Sequence, residues 1–600
     1  MFGQDASSLR RLASPAAILL FCSMFGMMAS APLHLDNMDF PAVAQATAQT
    51  GKPIYYRGEE NPHHSGLYHP PLYIYLLAAW FQIFGFGEAQ ARIFGMWCAL
   101  TQGWVVLLLM QTLFGRAARL SLQPWFWFLF LLNPYTLQTA SVLDIDSTIY
   151  GPLIGLVLLL AIRLSWREGD WREDEPGTLE YLFVAAALAA ALWAKLTTVL
   201  LVIPFLFLLL IARFGWWRAA RISLSIVIAG VAGFACTYYA FGFLLGLDVN
   251  FTFSFTLDSL LTRGTTASAG FSARLADYSR NFDAMIPFMF RWTGLIPWIA
   301  STAAIIVAGS LAVARRQRRA QHYCLLLLLA WLTVVFYCAK VQTFGGSPFK
   351  YVFVYWGFLL AALIVLAQGH DRWFPPEGVP CRSENCPRRL PAWGSLAAGV
   401  SFVLAAMYGR YIAGDAIILN ARPIDWASYG PAIVLLASLL WHVLSRTSRR
   451  EYARIPLIAA VSVYAGLQLG TALFQVQTPY SKTYDYGQSG IVDAASFVKQ
   501  NTTSDETIAS MKDLGFRAGR RYYETYGMIY GGLTGAEALI ALIKSETVKF
   551  AVFTEDRGQD QLIVNPDLLR WIQANCVVVE SFGNYRIYEY KPPEPVSAPR

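Results

Sequence analysis

Residues 34–75 read HLDNMDFPAVAQATAQTGKPIYYRGEENPHHSGLYHPPLYIY, a polar segment between two apolar ones. After His34, the segment contains Asp36 and Asp39, three further histidines and the pair Pro70-Pro71, and an aromatic-rich stretch begins again at Leu72. The three histidines are His63, His64 and His69. Almost everything else before residue 475 is apolar. We therefore expect this acidic, histidine-bearing loop to leave the membrane and to carry the chemistry of the protein.

The composition predicts a polytopic α-helical membrane protein. Hydrophobic residues make up 56% of the chain and charged residues only 14%, whereas soluble domains average about 25% charged residues. Apolar runs of roughly 18 residues or more recur, which is the length that a helix needs to cross a bilayer. The net charge of +8 comes mostly from arginines in short loops. It is a topology signal, so we expect membrane lipid around the chain and no nucleic-acid partner.

The apolar runs predict about thirteen transmembrane helices and a short interfacial or re-entrant helix over 72–86. The first run, 12–33, is either a signal peptide with Ala29-Ser30-Ala31 as its cleavage site or, as we prefer, a retained helix. The other predicted spans are 92–114, 122–141, 148–165, 179–193, 196–213, 222–245, 293–314, 322–338, 350–368, 393–412, 429–445 and 455–475.

Arginines cluster in alternate short loops, and this pattern predicts the orientation of the chain. They precede the first span and occupy the loops that begin near residues 115, 163, 213, 315, 372 and 446. Because cytoplasmic loops carry an excess of Lys and Arg, the pattern predicts a cytoplasmic N-terminus. Residues 34–91, 142–147 and 246–291 would then be extracytoplasmic, periplasmic in a Gram-negative cell, together with the C-terminus. The aromatic and basic 246–291 segment is expected to be either a lid or an interfacial amphipathic helix.

The composition changes near residue 476, where a small extracytoplasmic α/β domain is expected to follow the membrane domain of residues 1–475. Thr534 and Glu537 form a capping-box pattern before an apolar run. Phe550–Thr554 predicts a strand, and Pro566–Asn575 predicts a helix. Cys576–Val579 and Tyr585–Tyr590 predict two further strands around Gly583-Asn584. The domain has no nucleophile motif or phosphate loop, so we expect it to bind an acceptor or to act as a scaffold.

Two acidic sites follow helices at the same predicted face of the membrane. Asp36 and Asp39 follow the first span, and Asp144 and Asp146 lie in LDIDSTIY between later spans. Two carboxylates that face one cleft can act as a general base and its orienting partner. The alternative is that each is a solvated loop charge or a helix cap, and Asp146 before Ser147 suits a cap.

Cations are expected near the same face. Lys195 lies between two adjoining apolar runs, and Lys340 and Lys350 flank a predicted outer loop. Each lysine either snorkels to the interface or binds an anion, and together they suggest a phosphate held between ammoniums and carboxylates. The loop histidines are either polar loop surface or ligands, with Asp36 or Asp39, of a divalent metal, so the sequence leaves metal use open. Cys381 and Cys386 alone are weak evidence for zinc.

The stretches DNMDFPAVAQATAQTG from Asp36, HPPLYIYLLAAWFQIFG from His69 and EAQARIFG from Glu88 resemble the first outer loop of a known family. The family is the C-type membrane glycosyltransferases, which use polyprenyl-phosphate-linked sugars. It includes protein O-mannosyltransferases and the bacterial aminoarabinose transferases that modify lipid A. Its layout is similar: an acidic first loop, a second acidic site after the third span, about a dozen spans and often an outer C-terminal domain.

The resemblance implies roles for particular residues. Asp36 matches the aspartate that the family uses as catalytic base, and Asp146, or Asp144 before it, matches the second acidic site. Lys195 matches a lysine at an outer turn, and Lys350 resembles a basic entry into a later span. Asn37 and Tyr68-His69 depart from the family, whose members often have Glu at the first position and Glu-Lys before the proline pair. The missing glutamate puts metal dependence in doubt, and His69 would replace the lysine as a phosphate contact.

Together these observations predict an enzyme that moves a sugar from a polyprenyl-phosphate donor to a hydroxyl of a lipid, polysaccharide or protein acceptor. Asp36 is the expected base, and Asp39, Tyr68, His69 and the three lysines are expected to bind substrate. The alternatives are a lipid-linked sugar transporter or flippase, or a non-catalytic assembly subunit. A transporter would be expected to carry charges near mid-membrane and inverted repeats. The sequence shows no such repeat, and its charges cluster at one face, which favours the enzyme.

Overall fold

A computed structural model of the chain describes most of the membrane domain and the core of the C-terminal domain. The described residues are 2–29, 36–53, 67–262, 273, 276–283, 293–340, 350–368, 373–374, 398–408, 450–477, 490–525, 532–545, 548–554 and 565–591.

Helices dominate the first 477 residues, as the apolar runs predict. They are α1 (Phe2–Ala29), α2 (Asp36–Thr50), α3 (Leu72–Phe84), α4 (Glu88–Phe114), α5 (Arg116–Leu131), α6 (Pro134–Ser141), α7 (Tyr150–Arg163), α8 (Thr178–Ala194), α9 (Leu196–Leu245), α10 (Asn250–Thr262), α11 (Ile296–Ala314), α12 (Arg318–Lys340), α13 (Lys350–Gln368), α14 (Ala398–Tyr408) and α15 (Arg450–Gln477). Strands β1 (Trp166–Arg167) and β2 (Asp170–Trp171) form a small hairpin between α7 and α8.

The prediction of a polytopic membrane protein is confirmed. Within the described residues, five helices are long and apolar enough to cross a bilayer, and further apolar helices are shorter. The five segments are Leu12–Ala29, Glu88–Phe114, Val202–Leu245, Ile296–Ala314 and Arg318–Cys338. The predicted span 429–445 lies outside the described residues.

Three local predictions need correction. The segment after α1 is not an irregular loop, because its alanine-rich part forms α2, which is buried from Pro41 to Gln45. The predicted span 122–141 is interrupted at Asn133, whose side-chain oxygen accepts a hydrogen bond from the Tyr135 amide (2.9 Å) and starts α6 afresh. The predicted spans 196–213 and 222–245 are joined at Gly215, which takes φ +69° and turns the chain between two helical halves.

The helix ends separate into two groups, as alternating spans require. One group, the arginine end, includes Gly169, whose carbonyl accepts a hydrogen bond from Arg319 (2.5 Å), and Arg213, which donates to the Asp174 carbonyl. The opposite group, the site end, holds the start of α4 and the turn between α6 and α7. Among the described residues, these contacts put Arg213 and Arg319 at the opposite end of the bundle from the acidic turn after α6.

The C-terminal domain has a central five-stranded sheet, in agreement with the predicted α/β fold. Its strands are β3 (Thr507–Ser510), β4 (Arg521–Glu524), β5 (Val548–Thr554), β6 (Cys576–Phe582) and β7 (Tyr585–Tyr590), in the order β4-β3-β5-β7-β6. Its helices are α16 (Ile491–Asn501), α17 (Lys512–Ala518), α18 (Gly532–Lys544) and α19 (Pro566–Asn575). Separate apolar clusters cover the two faces of the sheet. Thr534 lies inside α18, so it is not the helix cap that its motif suggested.

Candidate functional site

The turn between α6 and α7 is built by its own polar groups. The Asp144 Oδ1 atom accepts a hydrogen bond from the Asp146 amide (3.1 Å), and the Thr148 hydroxyl donates to the Asp144 carbonyl (2.6 Å). The Asp144 amide donates to the Ser147 hydroxyl (3.2 Å). All four residues are buried. The hydrogen bonds of Asp144 therefore stabilise the turn itself, whereas the Asp146 side chain contacts a residue outside the turn.

Asp146 pairs with Lys195. The Lys195 Nζ atom lies 2.5 Å from Asp146 Oδ2, and the two side chains are only 6% and 3% exposed. Helix α7 begins at Tyr150, with Ile149 as its N-cap, so Asp146 is not a helix cap. Lys195 itself is extended (φ −162°, ψ 132°) and separates α8 from α9. The break between these helices therefore presents a lysine to the acidic turn.

A buried ion pair needs help from its surroundings, because two charges leave water to form it. The ring of Tyr337 lies with its centroid 5.7 Å from the Lys195 ammonium, which is within cation–π range. Tyr355, which is fully buried, lies within electrostatic range of Asp146. Lys340 is among the site residues that the sequence predicts, whereas Tyr337, one helical turn earlier on α12, is not. The i, i+3 spacing in YCAK would have indicated it.

Helix α2 brings the first acidic site toward this turn. Asp36 and Asp39 lie in its first turn, where the helix dipole favours negative charge, although their side chains fall outside the described residues. The ring of Phe40, in the next position, packs edge-on against Tyr73 with the centroids 5.0 Å apart. Tyr73 in turn lies beside Thr148 and within electrostatic range of Asp144. The rings of Phe40 and Tyr73 thus connect α2, the helix that carries Asp36 and Asp39, to the acidic turn.

The segment before the proline pair packs on α10. The ring of Tyr68 lies edge-on to Phe251 and Phe255, with centroids 5.4 and 5.0 Å away, and the ring of His69 lies 6.3 Å from Phe255. The Thr252 hydroxyl donates to the Leu67 carbonyl at 2.5 Å. This places Tyr68 and His69 between α3 and the 246–291 segment, where either could meet a ligand that enters between them.

An aromatic chain joins this region to the ion pair. The ring of Phe241 lies 5.8 Å from Tyr75 on α3 and 5.5 Å from Trp193 on α8, and Trp193 precedes Lys195 by two residues. The packing therefore connects all three parts of the site end: the acidic helix, the acidic turn with its lysine, and the Tyr68-His69 segment.

The remaining predicted site residues are only partly covered by the structure. Lys340 ends α12 and Lys350 begins α13, but their side chains lie outside the described residues. Four further predicted residues lie wholly outside the described residues: His63, His64, Cys381 and Cys386. Among the residues that the structure describes, no three His, Cys, Asp or Glu side chains are grouped to hold a metal ion.

Comparison with known proteins identifies the fold. No protein-family model matches the chain, and no curated protein matches its sequence. Among solved structures, ArnT from Cupriavidus metallidurans is similar both in complex with undecaprenyl phosphate and in the apo state. Both superpose with a TM-score of 0.55 over 97% of this chain and 98% of theirs, at 15% and 16% sequence identity. The chain has the fold of ArnT.

This finding confirms, for the fold, the resemblance that the first outer loop suggested. ArnT, a lipid A aminoarabinose transferase, is one of the C-type membrane glycosyltransferases. The oligosaccharyltransferase of Archaeoglobus fulgidus is a more distant match, with a TM-score of 0.47 and 11% identity over 90% of this chain and 68% of its own. The match to ArnT runs through both the membrane helices and the C-terminal domain, since it covers nearly the full length of both chains.

Proposed function

We propose that the protein is a membrane glycosyltransferase that takes a sugar from a polyprenyl-phosphate donor and transfers it to an acceptor hydroxyl on the extracytoplasmic face. The observation that carries the proposal is the ArnT fold, which extends over 97% of the chain. The ArnT structure contains undecaprenyl phosphate, a lipid of the donor's leaving-group type. The packing of Phe40 on α2 against Tyr73, which lies beside Thr148 in the acidic turn, supports it independently.

In the proposed reaction, the Asp36 carboxylate accepts the proton of the acceptor hydroxyl while the hydroxyl oxygen attacks the anomeric carbon. The bond from that carbon to the phosphate oxygen breaks, and polyprenyl phosphate leaves. A base held at the start of α2 would be positioned by a buried helix rather than by a loop, which limits the entropy lost in the transition state.

Asp146 has a different proposed role. Its carboxylate is buried and already paired with Lys195, so it suits orientation of the sugar or the acceptor better than proton transfer. Phosphate binding is assigned to other predicted site residues. His69, with Tyr68, lines the segment between α3 and α10, and Lys340 and Lys350 lie at the ends of α12 and α13. Cationic contacts there would stabilise the charge that develops on the leaving phosphate.

The experiment that tests the proposal uses the full chain in detergent with a panel of radiolabelled polyprenyl-phosphate sugars and a membrane extract as acceptor pool. Transfer of label from lipid to acceptor material supports the enzyme. The same protein in liposomes separates it from a flippase, because a flippase would move the intact labelled lipid across the bilayer without breaking the sugar–phosphate bond.

A further inference from the structure

Helix α17 joins the C-terminal domain to the membrane domain. Phe516 on this helix is only 3% exposed, and it packs with the apolar core of the membrane domain rather than with either apolar cluster of its own sheet. Its ring centroid lies 6.0 Å from that of Phe81 on α3. Phe516 therefore anchors the C-terminal domain, because its side chain is buried in the apolar core of the membrane domain.

An ion pair lies beside this anchor. Arg517 binds Glu88, and the two side chains are only 14% and 12% exposed. Glu88 occupies the first turn of α4, and Arg517 occupies the last turn of α17. Each charge is thus at the helix end that the helix dipole favours. The pair connects the two domains without placing either charge at an unfavourable helix terminus.

The sheet supports α17 from the opposite side. A Cβ atom on Gly515 would lie 2.4 Å from the Tyr522 ring of β4, so the glycine lets the helix lie directly on the sheet. Tyr522 on one side and Phe81 on the other leave little room for α17 to shift. It therefore acts as a rigid connection between the sheet and the membrane helices.

Helix α17 also packs against α2. Among the described helices, α2 packs mainly against α3 and α17. Its contacts with α3 include the hydrogen bonds from the Tyr75 hydroxyl to the Gly51 carbonyl (2.8 Å) and from Gln82 to the Ala48 carbonyl (3.3 Å). Because α2 carries Asp36, the position of this aspartate depends on both α3 and α17.

We infer that Arg517 is a positioning residue for transfer: through Glu88 it holds α17 against α2 and so fixes the helix that carries Asp36. The inference rests on the proposed function for its kinetic part and on packing alone for its structural part. It gives the C-terminal domain a task that its sequence did not reveal, which is to complete the support of the acidic helix.

The test compares Arg517→Ala, Arg517→Lys and the charge exchange Glu88→Arg with Arg517→Glu in the full-length protein. Arg570→Ala is the matched control, because Arg570 pairs with Asp567 in the same domain, but on the surface with 76% and 58% of the side chains exposed. Amide hydrogen exchange of residues 36–50 is measured first. The kcat and the KM for the lipid donor are measured next, together with the melting temperature.

The inference predicts that Arg517→Ala speeds exchange in α2 by about tenfold and lowers kcat to a similar degree. The KM should stay within about twofold of the wild-type value, because the donor contacts are intact. Arg517→Lys should restore much of both properties. The exchanged pair should restore less, because it puts each charge at the helix end that the dipole disfavours. Arg570→Ala should change neither property.

Unchanged exchange in α2, or equally faster exchange throughout both domains, would overturn the inference. If the wild type transfers no sugar but Arg517→Ala still loosens α2 alone, the proposed function fails while the positioning of α2 stands. If the wild type is active and Arg517→Ala keeps its full kcat, the positioning role fails while the proposed function stands.

Discussion

Lys195 Nζ lies 2.5 Å from Asp146 Oδ2, and both side chains are almost fully buried. The partners come from different helix junctions, 49 residues apart in sequence. This contact joins the turn after α6 to the break between α8 and α9. It also gives each buried charge its compensation, which is the condition for keeping ionised groups at such depth.

Removing one partner of this pair should be costly. Lys195→Met leaves the buried Asp146 carboxylate without its cation, and Asp146→Asn leaves the buried Lys195 ammonium without its anion. For either variant alone we expect a loss of about 3–5 kcal/mol in stability. The double variant should lose less than the sum of the two, as a coupled pair does. Thermal unfolding in detergent measures both. Glu175→Gln is the control, because its pair with Arg218 is exposed; equal effects at both pairs would contradict the account.

Gly95 on α4 should not tolerate a side chain. A Cβ atom there would lie 2.3 Å from the Ala140 carbonyl oxygen of α6, so Gly95→Ala must push α6, and the acidic turn after it, away from α4. We expect a loss of about 1–3 kcal/mol. Gly233→Ala on α9 is the matched control, since no atom lies within 4 Å of its Cβ position. That variant should be neutral or stabilising, because alanine favours a helix.

His69→Ala should weaken donor binding. The His69 ring packs against Phe255. In the proposed function this histidine contacts the leaving phosphate, and its loss would remove that contact. We expect the KM for the lipid donor to rise by about tenfold, equivalent to about 1.4 kcal/mol. Tyr75→Phe serves as a comparison: it removes the hydrogen bond from α3 to the Gly51 carbonyl beside α2, so it should affect kcat rather than the donor KM. A donor KM that His69→Ala leaves unchanged would remove this histidine from the phosphate site.

Cys576 should react slowly with alkylating reagents at neutral pH. Burial raises the pKa of its thiol from 9.0 to about 11, so the neutral thiol predominates at every pH below that value. The thiolate is the reactive form, and its fraction rises as the pH approaches 11. The rate of alkylation by iodoacetamide, followed by mass spectrometry of the 576-containing peptide, should therefore still be rising between pH 8 and pH 10. A rate that levels off by pH 10, as a thiol with a pKa of 9.0 gives, would contradict the shift.

The sequence predicted the fold class well because apolar length and arginine placement are local signals. It predicted the edges of α19 and β7 for the same reason: each has its own boundary residues. Helix α2 was not predicted, because polar residues flank its alanine-rich centre. The helical state of that centre depends on burial against α3 and α17. The break at Asn133 was missed because apolar residues continue on both sides of it.

The site was predicted in its parts but not in its connections. Asp146 and Lys195 were both named, yet their pairing depends on how two helix junctions pack, which no local pattern encodes. The support of α2 by Phe516 and Arg517 is even harder to predict from the sequence, because it involves residues from the far end of the chain. Contacts at such separations are decided by tertiary packing rather than by propensity.

The most direct test of the account is the transfer rate of Asp36→Asn beside that of the wild type, with binding of the lipid donor measured in parallel. Asparagine keeps the shape of the side chain and cannot accept the proton. The account predicts that transfer falls by roughly a hundredfold or more, the scale of general-base catalysis, while the donor still binds. Transfer at the wild-type rate would contradict it and would turn attention to Asp39, Asp144 or Asp146 as the base.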